Sequence, residues 1–141
     1  MISKINLLVD FDGVICTEPE NFPEIGKLRQ DAKEYLELLY NNENFTLTLH
    51  TCRSDKAFDM AKEFLEKEGI KFHYYNEHPQ HILEKYGKTK ENASRKLSGI
   101  FIDNQSLEHA VNGLENMIEW RLIYQMALKL IKNELGKHNC S

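Results

Sequence analysis

Residues 7 to 15 read Leu-Leu-Val-Asp-Phe-Asp-Gly-Val-Ile, an apolar strand that runs straight into two aspartates one residue apart and then a glycine. The pattern limits the fold because it recurs: LLVD ends at Asp10, TLHT at Thr51 and IFID at Asp103. Strand-like runs lead each time into a polar residue, and helical stretches separate them. That alternation predicts an α/β protein with a parallel sheet wound on both faces. In such sheets ligands bind beyond the carboxyl ends of the strands, where the connections diverge. All three polar residues are therefore expected in one crevice.

The pass along the chain gives strands at Ile5 to Val9, Phe45 to His50, Lys71 to Tyr75 and Ile100 to Ile102. The first and last of these read as buried on both faces. Ala32, Tyr35, Leu36 and Leu39 recur at helical spacing, closed by Asn41-Asn42. Ser54 can cap a second helix carrying Ala57, Ala61, Phe64 and Leu65, with Gly69 placed to end it. Pro79 to Tyr86 suits a short helix stopped by Gly87. Met117, Trp120, Tyr124, Ala127 and Ile131 form one stripe of a long C-terminal helix, with Trp120 in the core. That stripe is expected to pack on the sheet, and would serve a homo-oligomeric interface if exposed.

Residues 1 to 141 form a single domain, without repeat or linker. The net charge of −4, with no basic stripe, argues against a nucleic-acid surface. The apolar stretches are too short to cross a bilayer, so no membrane partner is expected. Three cysteines, Cys16, Cys52 and Cys140, are too few and odd in number for a disulfide framework. Free thiols in the cytoplasm follow as the expectation.

In an extended chain Asp10 and Asp12 point the same way, roughly 7 Å apart. Two carboxylates so close need a cation or a shared proton between them. Gly13 offers a position where the backbone can turn sharply or approach a ligand. A nucleophile, a proton-carrying acid and a divalent metal account for the group together, whereas Asp-Gly alone is an ordinary turn signal. Arg53 suits bidentate contact with a substrate phosphate or carboxylate, or is simply an exposed charge. His78 and His81 are a weak metal pair, more often solvated. Cys16 and Cys52 read as buried packing thiols near the crevice.

These motifs resemble those of the haloacid dehalogenase-like phosphohydrolases. DFDGVI matches the first motif, HTCR supplies the hydroxyl of the second at Thr51, and GIFID supplies the metal aspartate. SRKLSGIFIDN followed by IEWRLIY is similar to small members without a cap domain. Neither 14 to 30 nor 54 to 86 leaves room for a cap. The resemblance implies a three-layer, Rossmann-like, capless core acting as an Mg²⁺-dependent phosphatase on a small phosphorylated substrate. It implies Asp10 as nucleophile, Asp12 as acid and base, and Thr51 as a phosphoryl hydrogen-bond donor. Mg²⁺ would be held by Asp10, the carbonyl of Asp12, and Asp103. Gly13 and Arg53 would join Thr51 around the substrate. Lys96 is the expected active-site lysine, with Lys88 and Lys90 as the alternatives. Many relatives carry a second acid where this chain has Asn104, which puts metal affinity in question. Two other readings are a non-catalytic phosphate- or metal-binding regulator and a receiver-like phosphoacceptor domain.

Overall fold

A computed structural model describes residues 4–91, 93, 97, 99–102 and 119–139, with side chains to residue 133. Four parallel strands stand in the order β3-β2-β1-β4: β1 Ile5–Val9, β2 Phe45–Leu49, β3 Tyr74–Tyr75 and β4 Ile100–Ile102. The helices are α1 Ala32–Tyr40, α2 Asp55–Glu68, α3 Gln80–Lys85 and α4 Trp120–Asn139. The chain steps from β1 to β2 to β3 in one direction, then returns across both to reach β4. Right-handed crossovers therefore put α1 and α2 on one face and α3 on the other.

The α1 face carries the main core. Leu7, Val9, Phe45, Leu47 and Leu49 meet Leu36 and Leu39 of α1, Ala61 and Leu65 of α2, and Trp120, Ile123 and Ala127 of α4. Tyr35 and Tyr124 close the seam between α1 and α4, with ring centroids 5.3 Å apart. From Trp120 to Ile131 the C-terminal stripe packs inward, Met117 lying outside the described residues, and Trp120 donates its indole N–H to the Val14 carbonyl at 3.2 Å. That bond ties α4 to the chain just after the acidic pair.

The opposite face is more polar than the expected apolar runs. Asn6, Thr46 and Thr48 are buried there, and both threonine hydroxyls donate to Asn6 Oδ1, at 3.0 and 2.8 Å. His81 of α3 lies 3.2 Å from Thr46 Oγ1, so it takes part in this network instead of standing solvated. A buried hydroxyl needs such a partner to offset its desolvation.

Two other boundaries differ from expectation. Strand β3 spans two residues, because the Leu47 N–H donates to the His73 ring nitrogen Nδ1 at 2.9 Å and the backbone ladder begins only at Thr48 and Tyr74. Ser54 precedes α2 in extended geometry but makes no side-chain cap hydrogen bond. Gly69 does end α2, in the left-handed conformation expected of it. Among the described residues no helix is long and apolar enough to cross a membrane.

Candidate active site

Strand order fixes where the site lies. The connections diverge between β1 and β4, since β1 leads away toward β2 while β4 sits on its other side. Asp10 follows β1 at that point, its backbone N–H donating to the Ile102 carbonyl of β4 at 3.1 Å. Thr51 follows β2, the other neighbour of β1.

After Val9 the chain leaves extended geometry. The N–H groups of Ile15 and Cys16 both donate to the Phe11 carbonyl, at 3.1 and 3.2 Å, and close a single tight turn. Gly13 makes the turn with φ 85°, a conformation that disfavours any side chain. The acidic pair is thus presented by a strand end and a turn, which corrects the picture of one extended run. Phe11 between them is fully buried, edge-on to Phe64 of α2 at 6.0 Å. Anchoring that ring leaves Asp10 and Asp12 half-buried at the surface.

Asp10 Oδ1 accepts the Phe11 N–H at 2.7 Å, and the residue lines a cleft of about 230 Å³ with Leu8, His50, Cys52, Phe101 and Ile102. Cys52 is exposed there, contrary to its reading as a packing thiol. Cys16 is buried; burial first, then the nearby Asp12 charge, push its thiol up to about 12. Burial and the raised thiol suit a packing role.

Asp12 is gripped by Arg53. Nε reaches Oδ2 at 2.8 Å and Nη2 reaches Oδ1 at 2.9 Å, with the Arg53 side chain almost wholly buried. Its remaining donors go to backbone carbonyls. Arg53 is therefore neither an exposed charge nor available for substrate, which corrects both readings of it. Gly13 is committed as well, its N–H donating to the Cys16 carbonyl at 2.7 Å and its own carbonyl accepting from Arg29 Nε at 3.1 Å. What Gly13 supplies is the turn.

Thr51 is buried, and its hydroxyl accepts the Arg53 backbone N–H at 3.1 Å. An accepting hydroxyl keeps its proton for donation. Asn76 holds Thr51 from the far side, its Oδ1 accepting the Thr51 N–H at 2.8 Å and its Nδ2 donating to the Thr51 carbonyl at 3.0 Å. Sequence reasoning passed over Asn76. The signal was there in an asparagine just after a strand, the residue type that tolerates the left-handed conformation it adopts, φ 50°.

Oxygen donors suited to Mg²⁺ are present in the Asp10 carboxylate and the Asp12 carbonyl, which accepts no backbone hydrogen bond among the described residues. Among the described residues no group of three acidic, histidine or cysteine side chains is arranged to hold a metal ion, the pair His78 and His81 included. Asp103, Asn104 and Lys96 lie outside the described residues. Of the alternative lysines, Lys90 pairs with Glu77 at 3.2 Å on the surface, and Lys88 is exposed.

No protein-family model matches this chain, and no curated protein does. Among solved structures it is similar to a conserved protein from Bacteroides thetaiotaomicron, with 29% identity and a TM-score of 0.68. The likeness covers 90% of this chain and 92% of that one, so it extends over the fold as a whole.

Proposed function

We propose that this protein is a phosphohydrolase of the haloacid dehalogenase-like type, with a capless three-layer core and a small phosphate monoester as substrate. One observation carries the reading: Asp10 and Thr51 follow the adjacent strands β1 and β2, Asp10 at the switch point between β1 and β4, with Asp12 presented by the turn that follows β1. Free thiols at Cys16 and Cys52 suit a reducing cytoplasm.

In this reading a carboxylate oxygen of Asp10 attacks phosphorus, and the bond to the ester oxygen breaks as the aspartyl-phosphate forms. Asp12 gives its proton to the departing oxygen. It then takes a proton from the water that attacks the intermediate, which releases phosphate and restores Asp10. The Thr51 hydroxyl donates to a phosphoryl oxygen and Lys96 balances its charge. Mg²⁺, held by Asp10, the Asp12 carbonyl and Asp103, would supply charge stabilisation and substrate orientation.

The receiver-like alternative requires β1 between β2 and β3, the order of flavodoxin-like sheets. Here β1 stands between β2 and β4. The test is Mg²⁺-dependent phosphate release from an aryl phosphate, compared with Asp10→Asn. Release by the natural protein alone supports the reading. Equal background from both would favour a non-catalytic binder.

A further inference from the structure

Arginine carries five N–H donors in a rigid fork. In Arg53 all five are placed. Nε and one Nη2 hydrogen go to Asp12, the other Nη2 hydrogen to the Glu24 carbonyl at 2.9 Å, and Nη1 to the carbonyls of Pro23 at 2.8 Å and Ala57 at 3.3 Å. The guanidinium carbon also sits 5.3 Å from the Phe11 ring centroid and 4.9 Å from that of Phe22. A two-point grip of this kind fixes the plane of a carboxylate as well as its position. It engages both carboxylate oxygens on one side, and each keeps a second lone pair for proton exchange.

We propose that Arg53 is a positioning residue for Asp12, and that it fastens the loop of residues 22–24 to the same carboxylate. The assignment rests on the reading of Asp12 as acid and base. Its consequence is that the two non-strand segments, the turn at 11–16 and the loop at 22–24, are tied together by one side chain. Arg53 needs no contact with substrate to affect the reaction.

The experiment compares kcat/KM for an aryl phosphate, whose leaving group departs without a proton, and for an alkyl phosphate, whose leaving group needs one. Arg53→Lys keeps the charge and stem but not the fork. Its alkyl kcat/KM should fall by roughly 10- to 100-fold, with a much smaller loss on the aryl ester, since acid catalysis contributes on that order. Asp12→Asn should show the same selectivity, and adding Arg53→Lys to it should cost little more. Phe22→Ala tests the loop without threatening the core, because Phe22 is 65% exposed. It should show the same selectivity at about 2- to 5-fold, as expected from loss of one cation–π contact.

Equal losses on both esters, or full additivity with Asp12→Asn, would overturn the assignment while leaving the hydrolase reading intact. No selectivity in Phe22→Ala would remove the loop from it. A natural protein without Asp10-dependent release would overturn the hydrolase reading, and this assignment with it.

Discussion

Asn76 offers a quantitative test because its contributions separate by substitution. Asn76→Ala removes two hydrogen bonds to the Thr51 backbone, each worth about 1 kcal/mol net. It also puts alanine at φ 50°, which costs roughly 1 kcal/mol or more beyond what asparagine pays. The expected loss is about 3 to 4 kcal/mol, a large share of the roughly 5 to 15 kcal/mol typical of a domain. Asn76→Gly loses the same bonds but adopts positive φ freely, so it should be destabilised by only about 2 kcal/mol. Asn76→Asp keeps the acceptor for the Thr51 N–H and sets an oxygen against the Thr51 carbonyl, isolating the second bond. Urea unfolding followed by circular dichroism measures all three, with an unchanged denaturant slope as the sign that only stability moved. In each variant Thr51 is less firmly held, so phosphate release should fall as well. Equal losses for alanine and glycine would refute the backbone argument, and near-natural stability in both would refute the hydrogen bonds.

His73 and His81 predict a pH dependence: burial first, then the Lys4 charge, hold both below the usual histidine value of 6.5. A base depressed in the folded state contributes stability that is present above about 6.5 and is lost as pH falls through the folded value. The urea midpoint should therefore drop on acidification from neutral pH, and His73→Asn, which keeps an acceptor for the Leu47 N–H, should flatten part of that drop. Gly26→Ala would drive its Cβ into the Thr17 carbonyl oxygen, so the paired segments at 15–17 and 27–29 must shift. A loss of about 1 to 3 kcal/mol, read by urea unfolding, is the overpacking value expected. Asn104→Asp should lower the Mg²⁺ needed for half-maximal phosphate release, since an added anion near the cation strengthens its binding; unchanged metal titrations would show that residue 104 does not face the metal.

The fold was legible wherever hydrophobic pattern and chain punctuation agreed. Leu7 to Val9, the Ala32–Leu39 helix with its asparagine stop, and Gly69 at the end of α2 all stand where sequence put them. Short elements were less so. The segment from Lys71 has strand character, yet one ring nitrogen at His73 takes the place of a ladder carbonyl and shortens β3. Asn6, Thr46 and Thr48 lie within runs read as apolar strands; they are buried because they satisfy one another across two strands. The candidate site residues Asp10 and Thr51 were visible from their places after apolar strands, and Asp12 from its spacing to Asp10. Arg53 and Asn76 act on partners 41 and 25 residues away, and such distances are set by the sheet and not by local spacing.

The most direct measurement is to trap the covalent intermediate. The protein would be incubated with Mg²⁺ and an aryl phosphate, reduced with borohydride, and cleaved for peptide mass spectrometry. An aspartyl-phosphate reduced this way becomes homoserine. The account predicts that change at Asp10 in the natural protein and its absence in Asp10→Asn. Phosphate release with Asp10 unmodified, or with the change at another aspartate, would contradict it.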